Sequence, residues 1–172
     1  MSTYVALLRA VNVGGTGKLP MADLRRLATE LGFERPRTYI ASGNLVFDSP
    51  LVADAARTHL EAGLRSLMGR SVGVVLSARV ELQALLAANP FPDAAPNRVL
   101  VTLLNTALPP DWLNGVRHQQ GEQIVAAARA LFVHYGAGMA QSRLRIAAAE
   151  AGTARNLNTL RALVELADGP AA

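Results

Sequence analysis

Hydrophobic and polar positions divide the first part of this chain into six elements. Tyr4–Arg9 is a short, mostly apolar run and reads as a strand. Pro20 fits the first turn of a helix, on which Leu24, Leu27, Ala28 and Leu31 share one face. Arg26 and Glu30 pair on the other face, and Gly32 stands where a helix-ending glycine belongs. Arg37–Ile40 and Leu45–Phe47 are strand-like runs on either side of Ser42-Gly43-Asn44, a hairpin signal. Asp54–Met68 has helical spacing, with Ala56, Leu60, Leu64, Leu67 and Met68 expected inward and Arg57, Glu61 and Arg65 bracing the outer side. Val72–Leu76 reads as a buried strand. The order is β-α-β-β-α-β, the split βαβ or ferredoxin-like arrangement.

The second part repeats that order less completely. Arg79–Ala88 is a connecting helix stopped by Asn89-Pro90, and residues 90–96 hold three prolines, marking the expected boundary. Val99–Leu104 then reads as a strand, Asp111–Arg117 as a short helix, Gln123–Ala128 and Leu131–Tyr135 as strands, and Arg143–Ala151 as a helix. No clear final strand follows. A helix from about Asn156 to Ala167 turns Leu157, Leu160, Leu163 and Val164 inward. The expected fold class is α+β. A ferredoxin-like subdomain spans 1–77, a connecting helix and Pro-rich linker 78–97, and a second, smaller α+β subdomain with a C-terminal helix 98–172.

Composition narrows the function classes. At 172 residues with 51% hydrophobic content, the chain can build one good core or two small ones. It has no apolar run of about 18 residues for a membrane span. It has no basic N-terminal region of a signal peptide, so a cytoplasmic location without membrane association is expected. The absence of cysteine excludes disulfides, thiolate catalysis and cysteine-bound zinc. A pI near 10.3 suggests a nucleic-acid binder, but the formal net charge is only +4. The first ninety residues hold ten basic and seven acidic side chains and the remainder seven and six, so neither half is a basic domain. With aromatics at 5% and no basic–aromatic strand, a base-stacking RNA platform is unsupported. Nucleic acid stays a weakly supported partner.

Three polar blocks carry the candidate chemistry. The first is Arg9, Asn12, Gly14, Gly15, Thr16, Gly17 and Lys18, the last being the only lysine. A glycine loop before a helix can expose backbone N–H groups to an anion. The register is not that of a Walker loop, since Asn12 and Leu19 stand where glycine and serine or threonine are required, nor does it give a dinucleotide fingerprint. The second block, Ser42-Gly43-Asn44, reads as turn chemistry or as a ligand-facing hairpin tip. In the third, Gly152–Thr159, Thr153 or Asn156 can cap a helix, while Arg155, Asn158 and Thr159 suit an anion or a domain contact. His59, His118 and His134 lack metal-ligand spacing, no carboxylates pair, and no serine sits in a nucleophile elbow. No metal and no cofactor are expected.

These blocks, in this order, resemble an uncharacterised bacterial family, domain of unknown function 1697. The matching segments are LLRAVNVGGTGKLPM (7–21), RTYIASGNLVFDS (37–49), ANPF (88–91), ALFVHY (130–135) and GTARNLNTL (152–160). The resemblance implies an α+β fold of two small subdomains, the first ferredoxin-like, and brings no activity with it. The family's usual pattern has glycine where this chain has Ala10, tryptophan where it has Leu157, and often glutamine at Ala41. Loss of that tryptophan removes a stacking surface.

The resulting expectation is a protein that binds an anionic ligand, either a nucleotide-like small molecule or a nucleic-acid backbone. Arg9, Lys18 and Arg155 would supply charge. Asn12, the amides of Gly14 and Gly15, Ser42, Asn44, Asn156 and Thr159 would supply hydrogen bonds. The alternatives are an enzyme acting on a small phosphorylated or carboxylated substrate, and an interaction module whose motifs join the two subdomains.

Overall fold

The computed structural model describes residues 1–14 and 17–169. It is a mixed α+β protein whose contacts divide it into two compact units, Met1–Ala84 with the segment from Ala162 onward, and Leu85–Arg161. In the first unit the elements are β1 (Ser2–Leu8), α1 (Met21–Glu30), β2 (Glu34–Thr38), β3 (Asn44–Ser49), α2 (Ala53–Met68) and β4 (Val74–Ala78). The sheet order is β2-β3-β1-β4, with every neighbouring pair antiparallel. β1 and β2, joined through α1, therefore run parallel with β3 inserted between them. This order places the β1–α1 loop, the β2–β3 hairpin and the α2–β4 loop at the same end of the sheet.

The core lies between this sheet and the two helices. Tyr4, Ala6, Leu8, Leu45, Phe47, Val74 and Leu76 meet Leu24, Leu27, Ala28, Leu60 and Leu64. Phe33 stacks on Phe47 with ring centroids 4.1 Å apart. The alternate positions Val5, Leu7, Val46 and Val75 are buried as well, which explains why β1 is a continuous apolar run and not an alternating one. Leu67, expected inward, is 42% exposed. It lies in the last turn of α2, one residue before the helix ends at Met68.

Edge strand β2 contains Pro36, which a central strand would not tolerate. The β2–β3 register shifts between Glu34 and Arg37, and Arg35 takes a left-handed backbone (φ 48°). This bulge turns Arg35 onto Asp48, where its Nε donates at 2.6 Å and Thr3 Oγ1 donates at 2.7 Å. Burial raises the Asp48 carboxyl pKa, but these hydrogen bonds and the charges of Arg35 and Arg37 outweigh it and hold the group below its ordinary value. Arg37 reaches the other way and donates to the Leu166 carbonyl at 2.6 Å.

In the second unit β5 (Val99–Leu103), β6 (Val116–Arg117), β7 (Gln123–Ala127), β8 (Ala130–His134), β9 (Arg145–Ile146) and β10 (Thr153–Asn156) form two antiparallel sheets, β10-β5-β8-β7 and β6-β9. The helices α3 (Arg79–Ala87) and α4 (Leu157–Ala167) cross the boundaries between units. Three expectations need correction here. Asp111–Arg117 is a single 3-10 turn at Trp112–Gly115 leading into β6. Arg143–Ala151 is β9 followed by a 3-10 turn. Its alanine content favours a helix, but Leu144 and Ile146 pack against Leu131 and Val133, and this tertiary packing overrides propensity. A final strand also exists, because β10 pairs with β5 along Thr153–Asn156. Gly152 admits this approach, since a Cβ there would press on the Leu103 carbonyl and stand 2.8 Å from Leu104 Cδ2.

Two outcomes follow. The depressed Asp48 pKa contributes stability that is complete above the carboxyl's unfolded value and is lost as pH falls through the folded one. Urea midpoints should therefore drop between about pH 5 and pH 2, and Asp48→Asn should flatten that drop while costing about 3 kcal/mol at neutral pH. Gly152→Ala should destabilise the chain by about 1–3 kcal/mol through overpacking, measured by the same unfolding transitions.

Candidate functional site

The first two polar blocks meet at the loop-bearing end of the first unit. Asn12 joins them. Its Oδ1 accepts the Leu19 N–H at 2.7 Å, and its Nδ2 donates to the Leu19 carbonyl at 2.9 Å and to the Ala41 carbonyl at 2.6 Å. One amide thus closes the glycine loop at its base and ties it to the hairpin tip. Backbone bonds complete the cluster. The Leu8 N–H donates to Gly43 O at 2.8 Å, and the Arg9 N–H to Gly73 O at 2.9 Å. Arg70 Nη2 donates to Ala10 O at 3.3 Å. Gly43 has φ +87° and lies so close to Val11 that a Cβ would sit 2.5 Å from Val11 Cγ2.

The three loops themselves carry only cations, while the Glu61 carboxylate on α2 accepts the Val74 N–H at 3.1 Å at the start of β4. Residues 9–20, 39–43 and 69–73 contain Arg9, Lys18 and Arg70 and neither aspartate nor glutamate. Arg9 and Lys18 are exposed, and Gly14 and Gly17 are exposed beside them. Gly15 and Thr16 lie outside the described residues. The backbone is also held in left-handed conformations at Ala10 (φ 50°), Asn12 (φ 57°) and Ile40 (φ 49°). For a β-branched residue such as Ile40, which is 54% exposed, this is a genuine outlier. Strain of this kind persists only where the surroundings over-determine it.

Several polar side chains predicted to face a ligand are committed to local backbone. Asn44 is fully buried, and its Nδ2 donates to Tyr39 O and Ser42 Oγ, each at 2.9 Å. In the second unit Asn156 caps α4, its Oδ1 accepting the Thr159 N–H at 2.9 Å. Thr159 is buried. Arg155 lies on β10 opposite Val101 and donates to Ala154 O at 2.9 Å. Its burial disfavours the guanidinium charge. Thr153 Oγ1 is buried and has no hydrogen-bond partner among the described residues. Blocks one and two are thus brought together within one unit, and block three belongs to strand β10 and the start of α4.

The sequence reading missed Arg70 and Gly73. Topology supplies the missing signal: once β3 is inserted between β1 and β2, the α2–β4 turn must join the other two loops, and Gly69-Arg70-Ser71 is a basic turn there.

The profile of a protein family of unknown function, DUF1697, matches residues 1–132. The chain belongs to this family. The matched span includes the glycine loop, the hairpin and the proline-rich segment, while the Gly152–Leu160 block lies beyond it. In fold, the chain is similar to a solved structure of the conserved bacterial protein SP0830 from Streptococcus pneumoniae. The TM-score is 0.81 at 21% sequence identity, covering 98% of this chain and 99% of that one. No curated protein matches the chain. Among the described residues no helix is long and apolar enough to cross a membrane, and no group of His, Asp or Glu could hold a metal ion.

The family resemblance that places glycine at position 10 now has a physical reason, because the backbone there is left-handed. Ala10→Gly should raise stability by about 0.5–1 kcal/mol. Relief of roughly 1–2 kcal/mol of left-handed strain outweighs the chain entropy glycine adds. Chemical denaturation measures it.

Proposed function

We propose that the first unit is a ferredoxin-like subdomain whose loop-bearing end binds an anionic, phosphate-type ligand. The ligand is a nucleotide-like small molecule or a nucleic-acid backbone. Support for the ferredoxin-like reading is the β-α-β-β-α-β order together with a strand order in which β3 separates β1 from β2.

The binding reading rests on one observation. Three loops converge, carrying three cations and no carboxylate, and Asn12 and the Gly43 and Gly73 carbonyls hold them in place. The Glu61 carboxylate reaches this end, accepting the Val74 N–H at 3.1 Å, but it is paired with Arg57, so the three loop cations remain in excess. Arg9 supplies a fork for phosphate oxygens and Lys18 a mobile point charge. The exposed glycines leave backbone amides accessible. Asn12, Ser42 and Asn44 act as the frame of this site and not as its contact surface. Residues 9–20, 39–43 and 69–73 contain no histidine or carboxylate, and Glu61, which reaches this end from α2, is taken up by the Val74 N–H and Arg57, so the observation favours binding over catalysis there.

Titration of the protein with inorganic tripolyphosphate and with a short single-stranded oligonucleotide tests the reading. Tripolyphosphate should bind, and Arg9→Ala and Lys18→Ala should each weaken it about tenfold, as loss of a charge-assisted hydrogen bond does. A nucleic-acid backbone as natural ligand predicts a log–log salt slope of about −0.7 per phosphate contact on the oligonucleotide. A small-molecule site predicts a shallow slope with retained tripolyphosphate affinity. Unchanged affinity in the Arg9→Ala/Lys18→Ala double variant would sink the assignment.

A further inference from the structure

We propose that the second unit carries a separate binding site for a small amine, with the Glu122 carboxylate as its anchor. A cavity of about 270 Å³ opens between residues 120–122 and 135–143, and Glu122, Tyr135, Gln141, Ser142 and Arg143 line it. Glu122 is only 8% exposed. Its Oε1 accepts the Ser142 hydroxyl at 2.6 Å and its Oε2 accepts the Gln120 N–H at 2.5 Å. Ser142 Oγ in turn accepts the Leu144 N–H at 3.2 Å, so the carboxylate's principal donor is itself held in place.

The unusual property of this group is its charge balance. The bonds from Ser142 and from the amides of Gln120 and Glu122 hold the carboxyl below its ordinary pKa, so it is an anion at neutral pH. All three donors are neutral. Among the described residues Glu122 takes part in no ion pair. A carboxylate has roughly four acceptor sites, which leaves room for one further donor. A ligand ammonium entering the cavity would fill that remaining acceptor site as a charged donor.

Tyr135 sets what else the ligand carries. Burial and the Glu122 charge both push its phenol pKa up, so the hydroxyl stays neutral and able to hydrogen-bond. The same residue also lines a second cavity of about 310 Å³, with the apolar Leu100, Val133 and Ile146 and the charged Arg145 and Glu150. A short apolar chain on the amine can pack on the Tyr135 ring, which both cavities share. Arg143 lines the first cavity too, so its repulsion grows with each positive charge on the ligand and weighs more against a polyamine than against a monoamine.

The test uses the full chain labelled with nitrogen-15, n-butylamine as probe, and isovalerate as an acid of similar size. n-Butylamine should shift the amides of Gly121, Gly136 and Gly138 in a saturable way, while isovalerate leaves them unmoved. Glu122→Gln should weaken n-butylamine binding about tenfold or more. Tyr135→Phe, which keeps the ring, should weaken it less and provides the readout if Glu122→Gln does not fold. The proposal is overturned by no shift in the wild type, by shifts confined to other residues, by equal binding of isovalerate, or by full affinity in both variants.

Discussion

Strand β1 is paired along both edges and buried on both faces, and the first unit is organised around it. Its register with β3 on one side and β4 on the other leaves its backbone no freedom. The chain must leave it at Leu8 and cross the sheet before it can return. The crossing through α1 takes β2 to the far side of β3, and the return through α2 takes β4 to the other edge of β1. Three connections therefore meet at one end. Their close approach explains the glycines there better than flexibility does, because Gly43 sits where any side chain would collide with Val11.

The polar residues that make the chain distinctive divide into two roles. Asparagine side chains satisfy backbone groups that no regular element reaches: Asn12 at Leu19 and Ala41, Asn44 at Tyr39, and Asn156 at the start of α4. Unpaired buried backbone groups are costly, so these amides specify the loops. Among the described residues, the charged Arg9 and Lys18 side chains satisfy no such backbone group, and they stand exposed. A frame of neutral amides holds these cations at the surface of three loops that carry no aspartate or glutamate of their own.

Legibility in the sequence followed the source of each element's stability. Helix α2 was readable because Ala56, Leu60 and Leu64 repeat at helical spacing and Gly69 closes it in a left-handed cap. β3 was readable from its apolar run beside a turn. β10 was not, because Thr-Ala-Arg-Asn has no strand pattern of its own and exists as a strand through pairing with β5. The helix expected at Arg143–Ala151 failed for the converse reason, since local alanine propensity lost to the burial of Ile146. Nothing in the sequence marks Asp48, and only the bulge at Arg35 shows why it is charged and buried.

By itself, the sequence determined the order of elements through residue 78, the helix faces, the apolar central strand, the lack of cysteine chemistry, and the family. These are properties of periodicity and composition, which are local. Tertiary structure alone decided that Asn12 and Ala41 touch, that Arg70 joins Arg9 and Lys18, and that Glu122 lines a cavity with Tyr135. Contacts between residues far apart in the chain depend on where the crossovers carry them, and no window of sequence contains both partners.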